Sequence, residues 1–357
     1  MCYVVLSDVH ANYTALKAAL DVSERVAAVK KFYFLGDLLG YGPVGQVIDC
    51  MDWLHYQSHI YEENGDGELR WVPGNHDAWA VTQLGRVRPE GSITLQIQRS
   101  ALEQARAADW DWFAGEVRAA LRDESRSLLT KTWGVGDGKL FLAFTHAAVA
   151  RDERRGTYLY PWLHSILRSH FALLRAMSDA QTKILFCGHT HLPYLAQILP
   201  DERHTLKFHS IKYGQPVTLE PGEYIISPGS VGHPRDGDPR AAFALFEPET
   251  RAVKFCRVEY DTRPVVTALA QERFTLQLQH EMATRYLIQM DKPRLQEKYG
   301  LEIDLETIPR RIWQEYRNRV DEAYIHLIRE IETGAGGEEE QRYRTLYRAP
   351  EWDLEVL

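Results

Sequence analysis

The chain has 357 residues, 45% of them hydrophobic and 26% charged, a balance that suits one large α/β domain plus an appendage and excludes a fibrous or disordered chain. Its net charge of −8 argues against a protein built mainly to hold nucleic acid, and a local basic patch such as Arg151, Arg154 and Arg155 lies beside two acids, as a solvated loop would. The four cysteines (Cys2, Cys50, Cys187 and Cys256) form no C-x-x-C pair, which argues against a zinc ribbon or a disulfide framework and for reduced, buried thiols.

In chain order, residues 3–6 are a short apolar run rich in β-formers, the mark of a buried strand. Ala15, Leu16, Ala19 and Leu20 recur at helical spacing, and Asn12 stands where a cap for that helix belongs. Further strands are expected at 32–35, 71–72, 140–144 and 184–187, with helices at 45–56, 98–122 and 162–177. Strands alternating with helices point to an α/β layer architecture. From about 192 to 260 the runs 195–199, 224–226, 242–246 and 253–260 suggest a second, more antiparallel sheet. Between them, 200–222 reads as a hairpin excursion carrying His204 and His209, taken as surface histidines. After Pro264 the chain reads as helical, with an apolar stripe (Ile312, Tyr316, Val320, Ala323, Leu327, Ile331) that suits a helix packed on the body, or else a lid or dimer contact. Gly334 to Gly337 and the glutamates after them read as a flexible linker before an aromatic tail. No apolar run approaches the roughly 18 residues of a membrane span. Met1 leads straight into a strand without a signal-like segment. A cytoplasmic protein is the expectation.

Five polar motifs carry the chemistry: Asp8-Val9-His10, Gly36-Asp37, Gly74-Asn75-His76-Asp77, Thr145-His146 and Gly188-His189-Thr190-His191. They hold three carboxylates, one amide and five imidazoles, and most follow a short apolar run, where ligands of α/β sheets gather beyond strand ends. A carboxylate beside an imidazole suits a divalent transition metal, although a lone D-x-H is more often a helix cap. His189 and His191 flank one residue, so in extended geometry they face the same way. Asn75 can offer a carbonyl oxygen, which turns His76 toward a substrate. Converging, seven of these side chains could hold two ions, and paired ions on O and N ligands perform phosphoryl chemistry.

In this order the motifs resemble those of the calcineurin-like metallophosphoesterases, over roughly residues 1–262. The resemblance is strongest to a small prokaryotic phosphodiesterase-like branch, which shows segments like Gly36 to Pro43 and Ser227 to Gly232 running into Pro234-Arg235-Asp236. It implies a four-layer α/β/β/α sandwich, with residues 263–333 as an added C-terminal helical region and 334–357 as linker and tail. It implies that Asp8, His10, Asp37 and His191 hold one metal ion and Asp37, Asn75, His146 and His189 a second, with Asp37 bridging. A hydroxide between two divalent ions (manganese, iron or zinc, which residue types do not separate) would attack in line. His76 would stabilise the transition state or protonate the leaving oxygen, and Asp77 would orient His76 through a hydrogen bond. Arg235 would pair with a substrate phosphate or form a salt bridge with Asp236 or Asp238, and Tyr41 would line the pocket or pack on a strand. Ala11 and Ala147 depart from the family's usual glycines.

The expected activity is metal-dependent hydrolysis of phosphate esters, leaning to diesters, on a phosphorylated small molecule or nucleotide. The alternatives are a protein serine/threonine phosphatase or dinucleoside polyphosphatase, and a non-catalytic scaffold. The first usually adds an arginine just after the Asn-His motif, where this chain has Ala78-Trp79; the second would show eroded ligand positions, and all seven are filled. Partner expectations are no membrane, no dedicated nucleic acid, and oligomerisation open through the C-terminal helices.

Overall fold

The computed structural model describes residues 2–271, apart from 27–28, 65–67, 83–88, 123–127, 136–137, 148–177, 179 and 201–205. Strand β1 (Cys2–Leu6) is buried throughout and divides its side chains by the two-residue period. Tyr3 and Val5 enter one apolar cluster, while Cys2, Val4 and Leu6 enter another. The alternation makes β1 the middle of a layered body, with a sheet on one side and helices on the other.

Helix α1 (Tyr13–Val26) starts where Asn12 accepts the Ala15 N–H at 3.0 Å, the expected cap. It presents Ala15, Leu16 and Ala19 to the helix-side core. Strand β2 (Val29–Phe34) pairs parallel with β1, and a short 3₁₀ turn at Val44–Gln46 leads into α2 (Val47–Asn64). Then come β3 (Glu68–Trp71), parallel to β2, and α3 (Asn75–Thr82), which opens on the Asn-His-Asp motif itself. The single helix expected at 98–122 is two, α4 (Pro89–Ala105) and α5 (Ala107–Arg122). No Pro or Gly marks the break. The bend lets Trp110, Phe113, Ala114 and Val117 of α5 and Leu95 and Leu102 of α4 meet one core.

Strand β4 (Leu128–Val135), which the sequence pattern does not reveal, pairs antiparallel with β5 (Gly138–Thr145). The remaining elements are β6 (Thr182–Cys187), β7 (Pro193–Ile198), β8 (Leu206–Phe208), β9 (Pro216–Thr218), β10 (Glu223–Pro228), β11 (Ala241–Glu247), β12 (Ala252–Val258) and α6 (Arg263–Gln271). Among the described residues the strands form two six-stranded sheets, β3-β2-β1-β11-β12-β9 and β4-β5-β6-β10-β7-β8.

This corrects the expected division of the chain. The second half does not build a sheet of its own: β9, β11 and β12 extend the first sheet, and β7, β8 and β10 extend the second. Nor is 200–222 a hairpin. Its strand β8 pairs with β7 and its strand β9 with β12, so the segment crosses between sheets. His209 is half-buried there, with its Nε2 2.9 Å from the Gln197 amide oxygen; His204 lies outside the described residues, as do the helix expected at 162–177 and everything after Gln271. The outer face of the second sheet is nonetheless buried at Phe141, Ala143, Leu185, Ala196 and Ile225. All four cysteines are free and buried, as expected.

The sheets face each other across aromatic rings. Tyr33 of β2 stacks on Phe144 of β5 at 3.8 Å between centroids and 6° between planes, and Phe144 stacks on Phe186 of β6 at 5.3 Å. Parallel β1, β2 and β3 and parallel β5, β6 and β10 therefore bring their carboxyl ends to one edge. Phe144→Ala should lower stability by about 3–5 kcal/mol, the usual cost of emptying a buried aromatic site. A urea unfolding free energy lowered by less than about 1 kcal/mol would show that the ring does not hold the sheets together.

Candidate metal centre

Every motif lies at or just past the end of a strand of that shared edge, and hydrogen bonds between main-chain groups lock the backbone there. Asp8 N–H donates to Gly36 O at 3.0 Å, His10 N–H to Asp37 O at 2.9 Å and Ala11 N–H to Leu38 O at 2.6 Å, which ties the first two motifs together. Asp8, His10, Asp37, His189 and His191 all have left-handed backbones, with φ between 50° and 66°. Non-glycine residues hold that region only where surrounding structure imposes it, and such strain gathers at functional sites. The expectation that His189 and His191 lie in extended chain is therefore corrected. They sit in a tight turn closed by Thr190 N–H on Gly188 O at 2.7 Å, and point to different neighbours. Gly36 and Gly74 are needed for close approach: a Cβ on Gly36 would stand 2.3 Å from Gly74 N, and one on Gly74 2.1 Å from Asp37 Oδ1.

The side chains follow one pattern. Each carboxylate ligand candidate commits one oxygen to the protein and presents the other. Asp8 Oδ2 accepts from Ser7 Oγ at 2.6 Å and from His189 N–H at 3.1 Å, while its buried Oδ1 has no hydrogen-bond partner among the described residues. Asp37 Oδ1 accepts the His76 N–H at 2.8 Å, and its Oδ2 faces the histidines. Three imidazoles do the same. Nδ1 of His10, His146 and His191 lies against the carbonyls of Leu39 (2.9 Å), Leu35 (2.7 Å) and His233 (2.5 Å). A carbonyl only accepts, so each Nδ1 carries a proton, and each of these rings presents a lone pair at Nε2 whenever it is neutral.

The presented atoms converge. Asp8, His10, Asp37 and His191 offer ligand atoms that all lie within 4.8 Å of one another, and all four residues are buried. His10 Nε2 and His191 Nε2 are 3.2 Å apart, and His191 Nε2 is 3.3 Å from Asp8 Oδ1. Two lone pairs and a carboxylate facing each other repel unless a cation stands among them. The residues therefore fit a metal ion by their own chemistry.

Beside this group lie Asn75, His146 and His189. Asn75 Oδ1 is 3.0 Å from His146 Nε2 and 2.8 Å from His189 Nδ1.

The electrostatics agree. Burial, above all, pushes His10 down to about 4 and His189 to about 3, and holds His191 well below the imidazole range, so these rings are neutral. Burial also opposes charge on His146, but the Asp37 carboxylate outweighs it and lifts this ring to about 9. Positive charge is favoured where Asp37 faces it. Burial, with Asp37 nearby, raises Asp77 to about 7.

Asp77 has a different task from the one expected. Its carboxylate accepts the N–H groups of Asp37 (2.9 Å), Leu39 (3.1 Å) and Gly74 (2.9 Å). Both oxygens are engaged by the backbone that carries Asp37. The hydrogen bond expected between Asp77 and His76 is absent, and His76 Nδ1 is buried without a hydrogen-bond partner among the described residues. Rings instead hold His76: those of His10 at 4.9 Å, Tyr41 at 4.6 Å and Trp79 at 4.9 Å.

Tyr41 lines the edge of the centre, stacked on His233 at 4.8 Å and 27°, with the Arg235 guanidinium 5.8 Å from its ring centroid. Of the two carboxylates beside Arg235 in the chain, Asp236 accepts from Arg257 and Asp238 accepts from Arg240 at 2.6 Å. The segment that carries Arg235 returns through Val231 N–H on Ser7 O (2.9 Å) and Ser230 Oγ on Asp8 O (2.8 Å). His233 and Arg257 escape sequence reasoning. His233 contributes a carbonyl to His191, which any residue could, and Arg257 braces the 236–240 loop from a strand distant in sequence.

Buried carboxylates and imidazoles at the carboxyl ends of parallel strands in a two-sheet sandwich form a candidate metal site of the kind that metal-dependent hydrolases use. Residues 1–251 match the family model of the calcineurin-like phosphoesterase superfamily domain, and the chain belongs to that superfamily, whose members hydrolyse phosphoester bonds. It is similar to an uncharacterized protein of Methanocaldococcus jannaschii, 24% identical over 273 residues that make up 75% of this chain and 92% of that one. Among solved structures it is similar to a metallophosphoesterase from Sphaerobacter thermophilus, at 27% identity and a TM-score of 0.54, covering 81% of this chain and 100% of that one. A hypothetical protein of Pyrococcus horikoshii shares the fold at 20% identity and a TM-score of 0.50, over 79% of this chain and 97% of that one. Among the described residues no helix is long and apolar enough to cross a membrane.

Asp77→Asn puts an amide NH₂ against backbone donors. It should cost about 1–3 kcal/mol of stability, the scale of a buried unsatisfied group, and weaken metal binding through the displaced Asp37. Equilibrium dialysis with manganese, alongside urea unfolding, tests this; unchanged affinity and stability would return Asp77 to a role confined to His76.

Proposed function

We propose that the protein is a two-metal phosphoesterase that prefers diesters of a phosphorylated small molecule or nucleotide. The observation that carries this reading is the position of one atom. Asp37 Oδ2 lies 3.6 Å from His10 Nε2 and 3.4 Å from His146 Nε2, between the group of Asp8, His10 and His191 and the group of Asn75, His146 and His189. A shared carboxylate oxygen between two nitrogen- and oxygen-rich half-sites is what a pair of divalent ions requires. Manganese, iron or zinc would suit these donors. Such ions, when bound, polarise the phosphoryl group and lower the pKa of water to a useful range.

The chain's own residues have separate tasks. Asp8, His10 and His191 would hold one ion, Asn75, His146 and His189 the other, and Asp37 both. Burial, which outweighs the opposing pull of the Asp37 carboxylate, holds His76 well below the imidazole range, with His10, Arg235 and His146 adding to the effect. A neutral His76 donates a hydrogen bond to a phosphoryl or leaving oxygen in the transition state. Arg235 pairs with the non-reacting phosphoryl oxygens, and Tyr41 holds the guanidinium in place from below. Asp77 keeps the loop of Asp37 in register.

Purified protein would be stripped, reloaded with manganese, nickel or zinc, and offered p-nitrophenyl phosphate and its bis ester. Turnover in at least one combination is expected, faster on the bis ester and lost in Asp37→Asn. No turnover, with less than one ion per chain, would overturn the two-metal reading. His76→Gln should lower kcat by about 10²-fold or more while metal content survives. Loss of metal along with activity would instead make His76 a ligand.

A further inference from the structure

Gln98 lies on α4, outside every motif of the metal centre. Its side chain is fully buried. The amide makes three hydrogen bonds, all to one short loop. Oε1 accepts the Gly40 N–H at 2.8 Å, and Nε2 donates to the carbonyls of Gly40 at 2.7 Å and Gly42 at 2.9 Å. An amide suits this place because it must both receive and give. A carboxylate would face two carbonyls, and a thioether would leave three buried backbone groups unmatched.

The residue between those glycines is Tyr41. On the side away from Gln98 the loop touches the metal centre directly: Gly40 has φ +113°, and a Cβ there would stand 2.6 Å from His76 Nδ1 and 2.8 Å from His10 Nδ1. The Tyr41 ring lies 4.8 Å from His10, 4.6 Å from His76 and 4.8 Å from His233, and carries the Arg235 guanidinium at 5.8 Å. The loop is thus gripped between the site's imidazoles and one buried amide from the helical layer.

We infer that Gln98 is a positioning residue, which clamps Gly40 to Gly42 and so fixes Tyr41 and Arg235 as the wall against which the phosphoryl substrate is bound. The inference deepens the phosphoesterase reading and rests on it for the identity of the substrate. It separates two tasks: the strand-end ligands hold metal, and the clamped loop sets substrate affinity.

The test is a double-mutant cycle on the manganese-loaded full chain, with Gln98→Met, which keeps the volume, Tyr41→Ala and the double variant. Gln98→Met should raise KM for the p-nitrophenyl ester the wild type turns over by about tenfold, the scale of one lost hydrogen bond to two. It should leave manganese stoichiometry unchanged. In the Tyr41→Ala background the same change should add less than about twofold, because its route to the substrate is gone. Amide hydrogen exchange at Gly40 should accelerate in Gln98→Met, a readout that does not depend on turnover. If Gln98→Met does not fold, Gln98→Glu, which keeps the shape and the Gly40 acceptor, is expected to give changes of the same sign. Full additivity with Tyr41→Ala, an unchanged KM, or unchanged exchange at Gly40 would each overturn the inference. Absence of wild-type turnover would overturn the phosphoesterase reading instead. The cycle would then be read as the dissociation constant of inorganic phosphate, where no coupling again overturns the role of Gln98.

Discussion

A cluster of buried lone pairs and carboxylates holds together in this protein because Asp8, Asp37, His10, His146 and His191 are each anchored on one atom and presented on another. Asp8 and Asp37 each give one oxygen to hydrogen bonds from the chain. His10, His146 and His191 each give Nδ1 to a carbonyl. Anchoring removes the freedom of these groups to turn away, so their free atoms remain crowded at distances near 3.2–3.6 Å. Such crowding is costly in a low-dielectric interior unless positive charge compensates it. The fit to a cation is therefore built into how the side chains are held, rather than into the ligand types alone.

That arrangement depends on backbone geometry that no isolated segment would adopt. Left-handed conformations at Asp8, His10, Asp37, His189 and His191 are imposed by hydrogen bonds between loops from different strands. The two sheets supply the frame. Their facing rings, Tyr33, Phe144 and Phe186 among them, set the spacing, and their parallel strands end at the same edge. Helices α4 and α5 do more than cover the first sheet. Through Gln98 the helical layer reaches the loop that borders the metal centre, which couples packing remote from the ligands to the shape of the site.

Much of this is legible in the sequence for physical reasons. A strand buried on both faces reads as a continuous apolar run, and β1, β5 and β6 are such strands, so residue order alone assigns the motif residues to strand ends. Asn12 is recognisable as a cap because capping is local. Sequence patterns fail where the deciding contacts are distant. The break between α4 and α5 has no local stop signal, and β4 alternates too weakly to stand out. The crossing of 200–222 from one sheet to the other depends on which edges happen to be open. The task of Asp77 is hidden because adjacency to His76 in the chain suggests a partnership that the helix start at Asn75 prevents. The first turn of α3 instead aims the carboxylate at the backbone of the 37–39 loop.

The sequence by itself determined the family, the strand-end placement of the motifs and the chemical character of the ligands, because residue type and order along buried strands survive without knowledge of contacts. Only the tertiary structure decided which nitrogen His10, His146 and His191 each turn to a backbone carbonyl, and that Asp77, His233, Arg257 and Gln98 hydrogen-bond to the loops of the site. Those decisions are made by hydrogen bonds between segments far apart in the chain, such as His10 to Leu39 and His191 to His233. A backbone carbonyl as partner leaves no trace in the identity of the residue that carries it.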